Sequence, residues 1–291
     1  MSIAKIIVPL TGATRDGIAL ETAFVAALPS KAHVVALYVQ VDPRLGLPYM
    51  GAPVSADVIQ AIIDSSAEMN RTAAKSARTT LAEAATRAGV RLVAAPERAP
   101  ERAKDVTCSF REMEGYFPQC VADASRLSDL IVFGPVTPAD GPELSDAFVE
   151  ALTKTERPVL LATKPPKSLT GHVTLAWDGS AVAARALLAA MPFLEQAGKI
   201  TLLSCSQPNA KKPDFRDAEE YCALRGLACT EAVIAPGKRG IGETLLDEAA
   251  ERRSDLLVMG GFGHSHLSEV FFGGVTQHVR WNATLPVLMV H

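Results

Sequence analysis

The strongest constraint on the fold is an internal repeat. Three segments in the first half of the 291-residue chain have counterparts in the second half, in the same order. The matched pairs are 5–13 with 172–180, 129–134 with 255–260, and 157–162 with 285–290. One such match can arise by chance, but three in one order indicate a duplicated domain.

The boundary between the two copies is predicted at 164–171. Pro165 and Pro166 end the preceding strand and stiffen a short linker. A chain of 291 residues has about the length of two ordinary domains. We therefore predict one domain over 1–166 and a second over 170–291, packed against each other as an intrachain pseudo-dimer.

Composition and charge exclude several classes of protein. The net charge of −3 gives no basic field for nucleic acid or an anionic membrane. No apolar run reaches the 18 residues of a membrane-spanning helix, and the apolar run 6–10 is too short for a signal peptide. Five cysteines without a C-x-x-C pair predict neither a disulfide framework nor a zinc ribbon. We expect a cytoplasmic protein with neither a nucleic-acid nor a membrane partner.

The second half alternates apolar runs with helical patterns. Five strands and four crossing helices predict a doubly wound parallel sheet. The apolar runs do not alternate with polar residues, which is typical of strands covered on both faces. The fold prediction is α/β, with two tandem, Rossmann-like domains of five parallel strands each. The predicted strands are 173–177, 199–205, 227–234, 255–259 and 286–290; the predicted helices are 180–196, 214–225, 241–252 and 274–281.

The first half contains a long insertion, at roughly 44–112. The offset between the repeats falls from 167 residues at the first matched strand to 126 at the fourth, so about 41 extra residues lie between them. The pattern predicts an alanine-rich helix over 55–87, ended by Gly89, and a second helix over 111–127. A helical cover over the sheet, or a dimer contact, is favoured over a ligand-specific lid.

Glycines in the second half indicate a phosphate site. Ligands of open α/β sheets bind beyond the carboxyl ends of the strands, where Asp178, Gly260 and Gly263 are expected. Glycines let the backbone approach an anion, and the free amides at a helix N-terminus bind phosphate. Asp178 could bind a ribose hydroxyl or a bridging Mg²⁺. The amides would come from the start of the last helix, at Gly273, Gly274, Val275 and Thr276.

This constellation resembles the nucleotide motif of the universal stress protein family, which reads G-x-x-G, nine residues, then G-[ST]. Gly260, Gly263 and Gly273 match that motif. Gly274 stands where the family has Ser or Thr, so one hydroxyl contact is missing. Thr276 matches a second hydroxyl position. The resemblance covers essentially the whole chain as a tandem pair, apart from the insertion.

The resemblance implies a sensor-like module of stress tolerance that binds ATP, or AMP or ADP, with Mg²⁺ as a candidate ion. Asp178 matches the family's acidic residue, and Cys205 falls where the main chain meets adenine. Trp177 would either stack on the base or block the pocket. The candidate nucleotide residues are Ala176, Trp177, Asp178, Cys205, Met259, Gly260, Gly263, His264, Gly273, Gly274, Val275 and Thr276.

The first half is predicted to hold no nucleotide. Thr11 replaces the acidic residue, and Pro135 and Pro138 interrupt the stretch after Gly134. Alignment places Ser145 and Asp146 at the two late glycines. We expect Asp146 to cap the N-terminus of the last helix and to repel a phosphate there.

Three functions remain open at this point. The first is adenine-nucleotide binding, and the second is a nucleotide-free protein-interaction module. The third is slow ATP hydrolysis, for which no general base can be identified. The glycines could also serve only as a tight strand-to-helix connection. A homodimer is a further expectation.

Overall fold

The computed structural model describes residues 2–42, 55–96, 105–137, 140–206, 214–236, 240–261 and 274–291. Within them, eleven strands form one sheet, and eight helices cover its two faces. None of these helices is long and apolar enough to cross a membrane.

The described part of the first half contains six strands and four helices. The strands are β1 (Lys5–Leu10), β2 (His33–Val41), β3 (Arg91–Leu92), β4 (Thr107–Gly115), β5 (Leu130–Phe133) and β6 (Val159–Leu161). The helices are α1 (Asp16–Ala27), α2 (Ala56–Ala88), α3 (Phe117–Ser125) and α4 (Gly141–Lys154).

In the second half, the residues that the structure describes form five strands and four helices, as the sequence predicts. The strands are β7 (His172–Ala176), β8 (Lys199–Cys205), β9 (Cys229–Ile234), β10 (Leu256–Gly260) and β11 (Val287–Val290). The helices are α5 (Ala181–Leu194), α6 (Arg216–Ala223), α7 (Ile241–Glu251) and α8 (Gly274–Asn282).

The strand order repeats between the halves, and it confirms the doubly wound prediction. The order is β4-β2-β1-β5-β6 in the first half and β9-β8-β7-β10-β11 in the second, with parallel pairing inside each half. The first half has one addition, because the two-residue β3 lies outside β4. β6 pairs antiparallel with β11, so the two predicted sheets form one continuous sheet.

The sequence repeat corresponds to an arrangement of hydrogen bonds that occurs in both halves. Asp129 directly precedes β5, and Asp255 directly precedes β10, the equivalent strand of the second half. The Asp129 amide donates to the Lys5 carbonyl at 2.9 Å, and the Asp255 amide donates to the His172 carbonyl at 2.8 Å. The Asp129 carboxylate accepts the amides of Ala4 and Lys5, and that of Asp255 accepts the amide of His172. An aspartate at the equivalent position therefore aligns β1 with β5 in the first half and β7 with β10 in the second.

The core consists of two apolar layers, one on each face of the sheet. Alternate residues of β1 point to opposite layers, so Ile6 and Val8 pack on one face while Ile7 packs on the other. Helices α1, α2, α5 and α6 cover the first face, and α3, α4, α7 and α8 cover the second. Strands buried on both faces explain the continuous apolar runs of the sequence.

The long helix α2 confirms the prediction over 55–87. It begins after Ser55 and ends at Gly89, whose φ of 65° is the left-handed conformation that glycine adopts readily. Its buried residues all lie in its C-terminal half: Ala74, Ala77, Leu81, Ala84 and Ala85. This half of α2 packs on α1 and β2 and covers the sheet.

The predicted helix over 111–127 is wrong in its first part. Residues 111–115 belong to β4, which pairs in parallel with the whole of β2, and the helix α3 starts only at Phe117. Arg111, Glu112 and Met113 favour helix as isolated residues. The strand forms because β2 offers them a complete row of backbone partners, so the tertiary context overrides the local preference.

Candidate functional site

The loop after β7 exposes an acidic residue at the carboxyl edge of the second half. Asp178 Oδ1 accepts the amide of Ser180 at 2.9 Å. Ser180 in turn caps α5, because its Oγ accepts the amide of Ala183 at 3.1 Å. Gly179 has a φ of 75°, and a Cβ added there would meet no atom within 4 Å. These hydrogen bonds hold the loop, and its residues Asp178 and Gly179 are exposed to solvent.

Gly260 is the last residue of β10 and packs against the start of α5, next to this loop. A Cβ at Gly260 would lie 2.8 Å from Val182 Cγ1, in the first turn of α5. A glycine is therefore required for the close packing of α5 on β10, independently of any ligand. The same packing brings the carboxyl end of β10 beside the loop that contains Asp178.

The N-terminal part of α8 reaches the same edge of the sheet. α7 starts beyond the carboxyl end of β9, and its second residue, Gly242, lies against Val275 and His278 of α8. Gly274 is exposed, and a Cβ there would meet nothing within 4 Å. Thr276 is buried, with 4% of its surface exposed. The amides at this end of α8 and the positive end of its dipole suit an anion.

The apolar candidates lie behind this edge. Trp177 is only 6% exposed, and its Nε1 donates to the Asp214 carbonyl at 2.9 Å. Its indole is therefore held in the core and leaves the space above Gly179 open. Met259 is also buried in the core, while Ala176 is partly exposed at the end of β7.

Cys205 ends β8 and is partly exposed. Burial raises the pKa of its thiol, and the negative charge of Glu248 raises it further. The side chain is consequently a neutral thiol at neutral pH rather than an activated nucleophile.

Gly263, His264 and Gly273 lie outside the described residues. Within the residues that are described, no group of three or more His, Cys, Asp or Glu side chains could hold a metal ion.

The corresponding edge of the first half is occupied by a carboxylate that sequence reasoning missed. Asp16, in the first turn of α1, accepts the amides of Thr11 and Gly12 at 3.0 and 2.7 Å and the Thr11 hydroxyl at 3.1 Å. Burial raises the pKa of Asp16, although these hydrogen bonds oppose the shift. The signal in the sequence was an Asp four residues after the loop glycine, at the start of a helix.

The long helix α2 closes the same place. Gly12 has a φ of 83°, and a Cβ there would lie 2.7 Å from the Ala73 carbonyl oxygen of α2. Ser76 of α2 also donates its hydroxyl to the Gly12 carbonyl at 2.8 Å. The insertion therefore covers the loop that corresponds to Asp178 and Gly179 in the second half.

A second carboxylate stands at the start of α4, but it is not Asp146. The helix begins at Gly141, and Asp146 lies in its interior, so the predicted N-cap is wrong. Pro142 fixes the earlier start, because proline suits the first helical turn. Asp140 precedes the helix and accepts the amide and hydroxyl of Thr137 at 2.6 and 2.8 Å, and it forms an ion pair with Arg15.

Asp140 is bound as an anion. Partial burial would raise the pKa of its carboxyl, but the Thr137 hydrogen bonds and the Arg15 guanidinium outweigh that effect and lower the pKa below its ordinary value. We call Thr11, Gly12, Asp16 and Asp140 the closed corner, and Asp178, Gly179, Gly260 and Gly274 the open corner.

Comparison with known proteins first defines the fold class. Over 98% of its length the chain matches a universal stress protein from Archaeoglobus fulgidus DSM 4304, with a TM-score of 0.68, 16% identity and 97% of that chain covered. A protein of Pseudomonas aeruginosa PAO1 described as functionally unknown matches over 99% of this chain and 92% of its own, with a TM-score of 0.57 and 14% identity. These likenesses establish a shared tandem α/β fold.

The C-terminal part of the chain also matches a family in sequence. Residues 230–291 match the model of the Universal stress protein family. This match agrees with the resemblance of the C-terminal glycine motif, and the full chain shares its fold with the universal stress protein from Archaeoglobus fulgidus. No curated protein matches the chain in sequence.

Proposed function

We propose that the protein binds an adenine nucleotide at the open corner and acts as a nucleotide-dependent sensor in stress tolerance. ATP is the favoured ligand, with AMP and ADP as alternatives and Mg²⁺ as a candidate bridging ion. The proposal assigns the first half no nucleotide.

The proposal rests on the difference between the two corners. At Gly179 and Gly274 an added Cβ would meet no atom within 4 Å, so the backbone there faces open space. At the equivalent Gly12, the backbone is covered by α2, and its amide is already bound to Asp16. A phosphate needs room as well as amides, and of the two corners the open corner has that room at Gly179 and Gly274.

Residues of this chain would make the contacts to the phosphates and the ribose. The amides at the start of α8 and the positive end of its dipole would hold phosphate oxygens. Asp178 would accept a ribose hydroxyl, or it would provide the carboxylate oxygen that Mg²⁺ prefers. A bound Mg²⁺ would neutralise part of the phosphate charge. Gly263, His264 and Gly273 complete the candidate site on the family resemblance.

A pair of substitutions at Gly274 tests the site. Gly274→Asp places a carboxylate at the phosphate position, and like charges across an interface cost several kcal/mol. We expect it to weaken ATP binding at least about tenfold in calorimetry with Mg²⁺. Gly274→Asn has the same shape without the charge and is the matched control. Both variants should fold, because the position is open and an acidic residue stabilises a helix N-terminus.

Equal affinity of the two variants would show that α8 does not hold the phosphates. The absence of copurified nucleotide in mass spectrometry, together with no heat from millimolar ATP and Mg²⁺, would refute nucleotide binding and leave the interaction module. Phosphate release above background that is lost in Asp178→Ala would favour the slow hydrolase instead.

A further inference from the structure

A separate cavity of about 610 Å³ lies between the two halves, where β6 meets β11. Its wall is one stripe of α5, which repeats at three and four residues and consists of Arg185, Leu188, Ala189 and Pro192. The first half contributes Ile3 and Leu130. The volume falls in the range of sites for small organic ligands.

The inner lining is apolar, and it continues into an exposed apolar side chain. Ile3, Leu130 and Phe193 are at most 5% exposed and form a closed, apolar inner surface. Leu188 is 48% exposed on the same wall. An apolar molecule that lay along α5 would bury Leu188 and so gain hydrophobic free energy.

Three arginines line the same cavity, and polar contacts with other described residues of the protein involve only two of them. Arg185 is exposed and makes no hydrogen bond or ion pair with any described residue. The guanidinium of Arg157 donates from Nε to the Thr155 carbonyl at 3.2 Å, which orients it. Arg225 stacks on Tyr221, with its Cζ 4.8 Å from the ring centroid, and its Nη1 lies 3.4 Å from Glu195. These contacts fix two of the guanidinium groups at the cavity and leave Arg185 available.

Two carboxylates also line the cavity. Asp129 also lines it, but its Oδ2 accepts the backbone amides of Ala4 and Lys5. Glu156 lies at the exposed rim. Arg185 is thus an exposed cation at the cavity without an ion pair to a described residue, and the guanidinium geometry suits carboxylates and phosphates.

From this combination we infer that the cavity is a binding site for a small amphipathic anion, with an apolar body against α5 and a carboxylate or similar anionic head at the arginines. No lining residue is a candidate nucleotide residue, so this site is independent of the proposed function. Burial of the apolar body supplies binding free energy, and the arginines select the charged head.

Calorimetry with the full chain and two matched probes tests this site. Octanoate should bind, and octanol should bind at least about tenfold more weakly, because a hydrogen bond to a charged group discriminates by about that factor. Arg185→Gln should weaken octanoate at least about tenfold and leave octanol unchanged. Arg71→Gln, at an exposed arginine of α2, is the control and should bind octanoate as the wild type does.

Leu188→Asp provides a second variant. It places a carboxylate on the half-exposed wall, so both probes should lose binding. The fold should survive, and an unchanged melting curve would verify this. The inference is overturned if neither probe binds, if octanol binds as tightly as octanoate, or if Arg185→Gln and Leu188→Asp both bind octanoate as the wild type does. Saturating ATP should not compete with octanoate.

Discussion

The two halves of this chain build the same loop after their first strand and then use it differently. In the first half, Asp16 accepts the loop amides, and α2 packs on Gly12. In the second half, Asp178 is exposed, and the space beside Gly179 is open. The two copies thus share a fold and a hydrogen-bond pattern. In the first copy, side chains of the protein fill the corner that is open in the second.

The largest effect should come from adding one methyl group at the two equivalent loop glycines. Gly12→Ala combines a left-handed φ with a contact of 2.7 Å to Ala73, and it should lower the free energy of unfolding by about 3 kcal/mol. Gly179→Ala has the same φ problem without the contact, and it should cost about 1 kcal/mol. Urea denaturation of both variants measures the difference. Equal costs would mean that α2 does not close the first corner.

A smaller effect is expected on the affinity of the open corner for ATP. Gly274→Ser restores the hydroxyl that the family motif has at this position, and one more hydrogen bond to a charged phosphate should tighten ATP binding by up to about tenfold. Gly274→Ala adds a Cβ without the hydroxyl and should bring no gain. Titration calorimetry with Mg²⁺ compares both with the wild type. A gain in the alanine variant would point to helix stabilisation instead of a phosphate contact.

The smallest effect concerns the anion of the closed corner. Because the folded protein lowers the pKa of Asp140, its ionised form contributes stability above its ordinary value of 3.8, and this contribution is lost as the pH falls through the lower, folded pKa. Asp140→Asn should therefore be about 1 kcal/mol less stable than the wild type at neutral pH. The gap should close in strong acid. Melting curves from pH 7 to pH 2 follow it, and a gap independent of pH would contradict the ionised Asp140–Arg15 pair.

The repeat allowed most of the architecture to be predicted from the sequence. Residues matched between the copies, such as Asp129 and Asp255, make equivalent hydrogen bonds, so a pattern in the sequence corresponded to a constraint in space. The bounds of α2 were predicted well, because Ser55 and Gly89 are local signals of a helix start and end. Such local signals need no knowledge of distant contacts.

The sequence-based predictions were wrong where contacts between distant parts of the chain determine the local structure. Residues 111–115 are helix formers that become a strand beside β2, and Asp146 fell inside a helix that Pro142 starts earlier. The closure of Gly12 by Ala73 joins residues that are far apart in the chain, and no local pattern reveals it. At the candidate site, Asp178 and Gly260 lie at the carboxyl ends of the neighbouring strands β7 and β10, and Gly274 opens α8. The roles assigned to them remain predictions.

The antiparallel joint of β6 and β11 has a geometric consequence. Because strand direction reverses there, the carboxyl ends of the two copies point toward opposite poles of the molecule. The sealed pole bears the long helix, and the opposite pole bears the accessible loops. A contact made at the sealed pole would therefore leave the opposite pole facing solvent.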